Sequence, residues 1–150
     1  MLVRLIKYLE PVRVAQTREA REAIYSFRYR VYHEELGREI GGVDHARKMV
    51  VEPEDEAPGV FHLYAGRLDA IRGVGRVRVW APGQVPEPLA RLLSLERVPG
   101  IERFGISELG RLMVDRRHRG ARVAAALAIA GFEVQANHGV DLAFCYCRPG

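Results

Sequence analysis

The sequence predicts a mixed α/β fold of the α+β kind, a largely antiparallel sheet with helices on both faces. Two β-rich runs, 60–68 and 74–80, alternate apolar with polar side chains and read as an antiparallel pair. Two helical runs, 18–36 and 120–137, lie on either side of that pair in the chain. The order strand, helix, long loop, two or three strands, helix, strand then puts helices against both faces of one sheet. With 150 residues, 48% of them apolar and 28% charged, the chain can bury one core and reads as a single domain over 1–150.

Residues 1–9 are apolar at several positions, but Arg4 and Lys7 interrupt them before a signal-peptide core or a bilayer-spanning run can form. The chain is therefore read as soluble and unexported. Residues 12–15 make a short strand, and Thr17 offers an N-cap to the helix 18–36, closed by Gly37. On that helix Ile24, Phe27 and Val31 form a core stripe, and Arg28, Tyr32 and Glu35 line up beside it. Residues 37–59, rich in Gly, Pro and acids, make an irregular loop too long for a passive connector, of the kind that covers a site. The strand pair turns across 69–73, and Pro82, Pro86 and Pro88 end it. A short helix over 87–95 and a strand over 105–114 follow. The Ala-, Val-, Leu- and Ile-rich helix 120–137 should lie close on the sheet because small side chains permit it, and 141–146 is a last apolar strand.

The net charge of +4 suits an anionic partner, but Arg is spread along the chain, so charge alone leaves nucleic acid, an acidic carrier protein and a phosphate-bearing cosubstrate open. Neither a helix-turn-helix pattern nor interleaved exposed aromatics supports nucleic acid. His33-Glu34-Glu35 lacks the second His of a zinc motif, and no metal site is predicted. Gly73-Val74-Gly75 lacks a third glycine and reads as a turn. Cys145 and Cys147, two apart on a strand, point the same way, which argues against a structural disulfide and for a cytoplasmic setting. Cys145 reads as a buried strand cysteine.

The chemistry concentrates in residues 107–124. Glu108 and Arg111 are three apart and would leave a regular strand on opposite faces; a β-bulge at Gly110 would bring them to one side. The same spacing fits a surface ion pair. A basic turn, Asp115-Arg116-Arg117-His118-Arg119, then opens the small-residue helix, whose N-terminal amides suit a phosphate. A solvated basic loop would look the same.

Leu112, Met113, Val114 and Asp115, followed by Arg119, Gly120, Ala121, Arg122, Val123 and Ala124, resemble the acyl-donor motif of the GNAT acyltransferases, Gln/Arg-x-x-Gly-x-Gly/Ala. Three further pieces resemble the autoinducer (acyl-homoserine-lactone) synthase and N-acyl amino acid synthase branch. These are Arg28-Tyr29-Arg30-Val31-Tyr32, the acids Glu39 and Asp44 in the long loop, and Glu108-Leu109-Gly110-Arg111. Gly75-Arg76-Val77-Arg78 is similar to that branch's Gly-x-x-Arg strand. The pieces occur in the family's order. The sequence departs from the pattern at Gly110, where a serine is usual, at Arg122, where the central glycine stands, and in having no Trp after Tyr32.

The resemblance implies direct transfer of an acyl group from a phosphopantetheine thioester, acyl-CoA or acyl carrier protein, to the amine of a small molecule such as an amino acid. No tightly bound cofactor is implied. Glu108 would be the general base, with Arg111 orienting it or the acceptor. Arg28, Tyr32, Asp44 and Arg78 would bind the acceptor, and residues Leu112 to Val114 with Arg119 to Ala124 the donor. Arg122 would reach a donor phosphate from a distance. It further implies a helix and two strands after 141–146; either that strand is displaced from 141–146, or these elements are lacking here or supplied by another chain. A plain acetyl-CoA-dependent N-acetyltransferase and a noncatalytic module of the same fold, binding an acidic partner or an acyl ligand, are the alternatives.

Overall fold

The computed structural model describes residues 1–145. The chain opens with a helix not foreseen from sequence, α1 (Leu2–Leu9), followed by strand β1 (Val12–Val14). Helix α2 (Arg18–Tyr29) starts where Thr17 predicts it, its Oγ1 accepting a hydrogen bond from the Ala20 amide at 3.1 Å. The expected single helix over 18–36 is in fact two segments. Beyond Tyr29 the backbone widens into a π-helical turn, Arg30–Glu35, before Gly37 stops it at φ 59°.

The stretch 37–59 is more ordered than its composition suggests. It holds a two-residue ladder, β2 (Val43–Asp44) against β3 (Met49–Val50), and a 3₁₀ turn, Pro53–Glu56. Strands this short carry no alternation to read. Gly42 is needed where the ladder folds back, since a Cβ there would come within 2.1 Å of the Val51 carbonyl oxygen.

Strands β4 (Val60–Arg67) and β5 (Ala70–Trp80) form the expected antiparallel pair, but the turn is tighter than 69–73. Gly73 and Gly75, read as turn, lie inside β5. Helix α3 (Glu87–Leu92), strand β6 (Ile106–Val114), helix α4 (Ala121–Asn137) and strand β7 (Leu142–Cys145) complete the described chain. The predicted strand end at Tyr146, and Cys147, lie outside the described residues. The sheet runs β1-β4-β5-β6-β7, antiparallel except for the parallel β6/β7 pair.

Each face of the sheet has its own apolar layer. On one side Ile24 and Phe27 of α2 and Val31 of the π-helical turn pack with Tyr64, Val74 and Met113; on the other Val123 and Leu127 of α4 pack with Leu63, Val77 and Leu109. Each fully buried aliphatic side chain contributes about 1.5–3 kcal/mol. Alternation along β4, β5 and β6 therefore turns His62, Arg76, Arg78 and Glu108 to the α2 face. Polar residues thus replace an apolar core at one end of that layer.

Candidate active site

Arg28 is the hub of the α2 face. It stands one helical turn from Ile24 and is carried into the interior by the same stripe, with no exposed surface. Its Nη1 donates to Asp55 Oδ2 at 2.7 Å, and its Nη2 lies 3.2 Å from His62 Nδ1. The opposite ring nitrogen of His62 sits 2.9 Å from the Asp55 carbonyl oxygen. A carbonyl accepts only, so Nε2 carries the proton, and Nδ1 is left to accept from Arg28: the ring is neutral. Burial favours this state, pushing the His62 pKa below its ordinary value.

Asp55 Oδ1 accepts from Arg76 Nη1 at 2.8 Å, and the same guanidinium nitrogen reaches Glu52 Oε2 at 2.8 Å. Glu52 in turn takes both arms of Arg111, Nε donating to Oε2 at 2.7 Å and Nη2 to Oε1. Burial works to raise the Asp55 and Glu52 carboxyls, but the guanidinium groups beside them outweigh it and hold both below the ordinary carboxylate range. Glu52 and Arg111 so fix each other, bidentate.

The bulge expected near Gly110 exists, and its residue is Arg111. Between the pairs Val74↔Met113 and Arg76↔Gly110, Arg111 and Leu112 of β6 oppose Gly75 alone. Arg111 takes φ 53°, the left-handed region, which re-aims its side chain to the face already held by Glu108. Glu108 and Arg111 thus share a side, yet Arg111 bonds Glu52. Glu108 instead faces Arg78, Oε2 at 3.2 Å from Nη1, an ion pair without a formed hydrogen bond, and the Arg78 guanidinium lies over the Trp80 ring. Gly110 makes room for this carboxylate, because a Cβ there would stand 2.9 Å from Glu108 Oε1.

A cleft of about 570 Å³ opens beside the bulge. Its walls include Tyr32, Glu52, Arg111, Leu112, Met113 and, on β7, Cys145. Glu39 of the long loop also borders it. Cys145, expected to be buried, is exposed here because the described part of β7 pairs only with β6.

At the start of α4 no side chain caps the helix. Arg119 donates to Glu35 Oε2 at 3.0 Å and Arg30 to Asp115 Oδ2 at 3.0 Å, tying the turn to the π-helical segment after α2. Arg122 lies in the first turn of α4. Its Nε lies 3.2 Å from Glu10, a fully buried carboxylate that Arg72 also meets at 2.5 Å.

Of the residues singled out in the sequence, Tyr32, Arg111, Leu112 and Met113 line the cleft, and Glu108 sits behind Gly110 at its wall. Asp44 stands apart from Arg28: its Oδ1 accepts from the Arg47 amide at 2.9 Å, and the partner of Arg28 is Asp55. Sequence reasoning missed Glu52, Asp55, Arg76 and His62. The available signal was Glu52-Pro53-Glu54-Asp55, an acidic helix-start pattern in which Asp55 Oδ2 accepts from the Glu52 amide at 2.8 Å. Among the described residues no cluster of His, Cys, Asp and Glu has the arrangement of a metal site.

The architecture is that of known acyltransferases. An N-acyl amino acid synthase from uncultured soil microbes, FeeM, is 16% identical, matching over 93% of this chain and 72% of that one with a TM-score of 0.67. A predicted acetyltransferase from Clostridium acetobutylicum, solved with acetyl-CoA, is 8% identical over 92% of this chain and 80% of its own, TM-score 0.61. An aminoglycoside acetyltransferase from an uncultured soil metagenomic sample, in complex with sisomicin, is 13% identical over 95% and 80%, TM-score 0.58. At such identities the likeness is one of fold. No curated protein matches the chain significantly. Residues 27–128, which carry the last residues of α2, the ion-pair network, the bulged strand and the start of α4, match the model of the acetyltransferase (GNAT) domain, and the chain belongs to that family.

Proposed function

We propose that this GNAT domain moves an acyl group from a phosphopantetheine thioester to the amine of an amino acid or a similar small molecule. The observation that carries this reading is the cleft at the β6 bulge, with a fixed Glu52–Arg111 pair on its wall. Such a pair presents one anion and one cation side by side, a match for an acceptor bearing both an ammonium and a carboxylate. Tyr32 walls the same space, and Arg28 acts from behind, through Asp55 and Arg76, to keep Glu52 in place.

The amine attacks the thioester carbonyl directly: the C–N bond forms, the C–S bond breaks, and the thiol leaves. The ammonium must first lose a proton, which Glu108 takes through a water at the Gly110 gap. Glu108 suits the task better than Glu52, since two guanidiniums bind Glu52 and hold its carboxyl low. The bulge frees backbone from the regular ladder around Leu112, where an amide can meet the developing oxyanion. The uncapped start of α4, with Gly120 leading in, offers amides to a donor phosphate.

For the donor we favour an acyl carrier protein, whose acidic surface suits the exposed Arg116, Arg117 and Arg119 at that helix start. The test is thiol release from acetyl-CoA, long-chain acyl-CoA and acyl carrier protein against a panel of amino acids and simple amines. Turnover with an amino acid is expected. No release with any pair would overturn the enzymatic reading, and tighter binding of acetyl-CoA than of the carrier would overturn the donor assignment.

A further inference from the structure

His62 stands behind the cleft, and its neighbours make the geometry there conditional on one proton. Both ring nitrogens are committed: Nε2 donates to the Asp55 carbonyl oxygen, and Nδ1 accepts from Arg28 Nη2. Arg28 depends on that acceptor. Its Nε is buried without a hydrogen-bond partner among the described residues, so Asp55 Oδ2 and His62 Nδ1 are the groups that seat its guanidinium. The Asp55 oxygen that takes Arg28 also accepts from the Glu52 amide at 2.8 Å, while Asp55 Oδ1 takes the Arg76 nitrogen that reaches the Glu52 carboxylate. Arg28 therefore sets Glu52 twice, through its backbone and through its side chain, and Glu52 holds Arg111 at the cleft wall.

A second proton on the ring has one place to go, Nδ1, because Nε2 already carries the first. The ring would then present a donor to a donor, 3.2 Å from Arg28 Nη2. It would also add a positive charge to a layer in which Arg28, Arg76 and Arg111 already face only Asp55 and Glu52 within the network. The groups facing the ring are Tyr25 and Arg28 from α2, Asp55 from the 3₁₀ turn with Glu56 behind the Tyr25 hydroxyl, and Arg76 opposite it on β5. From the β1 side Ala15 donates its amide to the His62 carbonyl oxygen. Asp55 Oδ1, 4.0 Å from Nε2, is already taken by Arg76. Burial, and with it the charges of Arg28 and Arg76, holds the ring's pKa below the ordinary 6.5, which places this change on the acid side of neutrality.

We propose that His62 is a positioning residue of the acceptor site: its neutral ring seats Arg28 so that Asp55 holds Glu52 against Arg111, and its protonation loosens that pair and weakens acceptor binding. This rests on the acyl-transfer reading, in which Glu52 and Arg111 receive the acceptor.

The test is the acceptor KM and kcat for thiol release, measured from about pH 8 to about pH 5 on the wild type, His62→Gln and His62→Leu. In the wild type the acceptor KM is expected to rise about two- to thirtyfold on the acid side. The Gln amide offers one donor and one acceptor and does not titrate, so His62→Gln is expected to keep the wild-type KM at the alkaline end and lose most of the acid rise. His62→Leu offers neither and is expected to show a raised KM at every pH, with kcat little changed. Circular dichroism at each pH checks folding, and if the Leu variant does not fold, the Gln variant decides. A flat wild-type KM, the same acid rise in His62→Gln, or a wild-type KM in folded His62→Leu overturns the proposal. A readout without turnover separates it from the enzymatic reading: the guanidinium nitrogen signals of Arg28 and Arg111 in NMR are expected to follow the His62 ring titration in the wild type and to stay still in His62→Gln. Signals that ignore the ring overturn the positioning role. Signals that follow it in a protein without turnover support that role and overturn only the acyl-transfer reading.

Discussion

Asp55 is the residue on which the interior charge balance depends. Its two oxygens are the counter-ions of Arg28 and Arg76, both almost without solvent contact. Removing it leaves two guanidiniums buried with diminished compensation, so Asp55→Ala should lower stability by about 3–5 kcal/mol in urea unfolding. His62 adds a pH dependence. Its folded pKa lies below the ordinary 6.5 of the unfolded chain, so the unfolded state binds the extra proton first. The groups facing the ring are Tyr25 and Arg28 from α2, Asp55 and Arg76. Stability should therefore be full above about pH 6.5 and decline as pH falls through the lower folded value. The loss tied to Glu52 and Asp55 comes further down, below their ordinary 4.5 and 3.8. His62→Gln should flatten the upper part of that decline in unfolding measured across pH. For the chemistry, Glu108→Gln should reduce kcat/KM by about 10²–10⁴-fold. Wild-type turnover across pH would refute the base assignment.

At the scale of elements, the close seat of α4 on the sheet is set by two glycines. A Cβ on Gly73 would stand 2.8 Å from Val123 Cγ1 and 3.0 Å from the Met113 carbonyl oxygen; one on Gly131 would stand 3.0 Å from Leu109 Cδ1. The small-residue composition of 120–137 foretold this approach. What it did not foretell is that the matching gap lies in β5 at Gly73, because two glycines so close together, Gly73-Val74-Gly75, resemble a turn. Gly73→Ala must push α4 outward or shift the backbone of β6, and should cost about 1–3 kcal/mol by urea unfolding. Strand β6 shows the complementary limit. The three-residue spacing of Glu108 and Arg111 pointed to a bulge, but only pairing with β5 settled which residue took the left-handed conformation.

For the molecule as a whole, Glu10 links three parts of the chain: α1, Arg72 at the start of β5, and Arg122 at the start of α4. Arg122 stands where the resembling donor motif has its central glycine, and its Nε lies 3.2 Å from Glu10. Arg122→Gly should loosen α1, lowering the melting temperature by about 2–6 °C, as expected for the loss of roughly 1–1.5 kcal/mol in a chain of this size. It should at the same time tighten acetyl-CoA binding by clearing the backbone at the first turn of α4, read by titration calorimetry.

The sequence by itself determined what depends on near neighbours. Thr17 marked the start of α2 and Gly37 the stop of the π-helical turn that follows it, alternation marked β4 and β5, and the order of short motifs indicated the family, since caps, periodicity and motif spacing are local properties. Tertiary structure decided the partners. Arg28 stood out in the sequence, but its pairing with Asp55 depends on how a loop of two-residue strands folds over the sheet. Glu52, twenty-four residues from Arg28 and fifty-nine from Arg111, becomes part of the cleft only through that folding. Charge pairing in a buried layer is settled by which side chains reach one another once water is excluded, and no spacing along the chain encodes that distance.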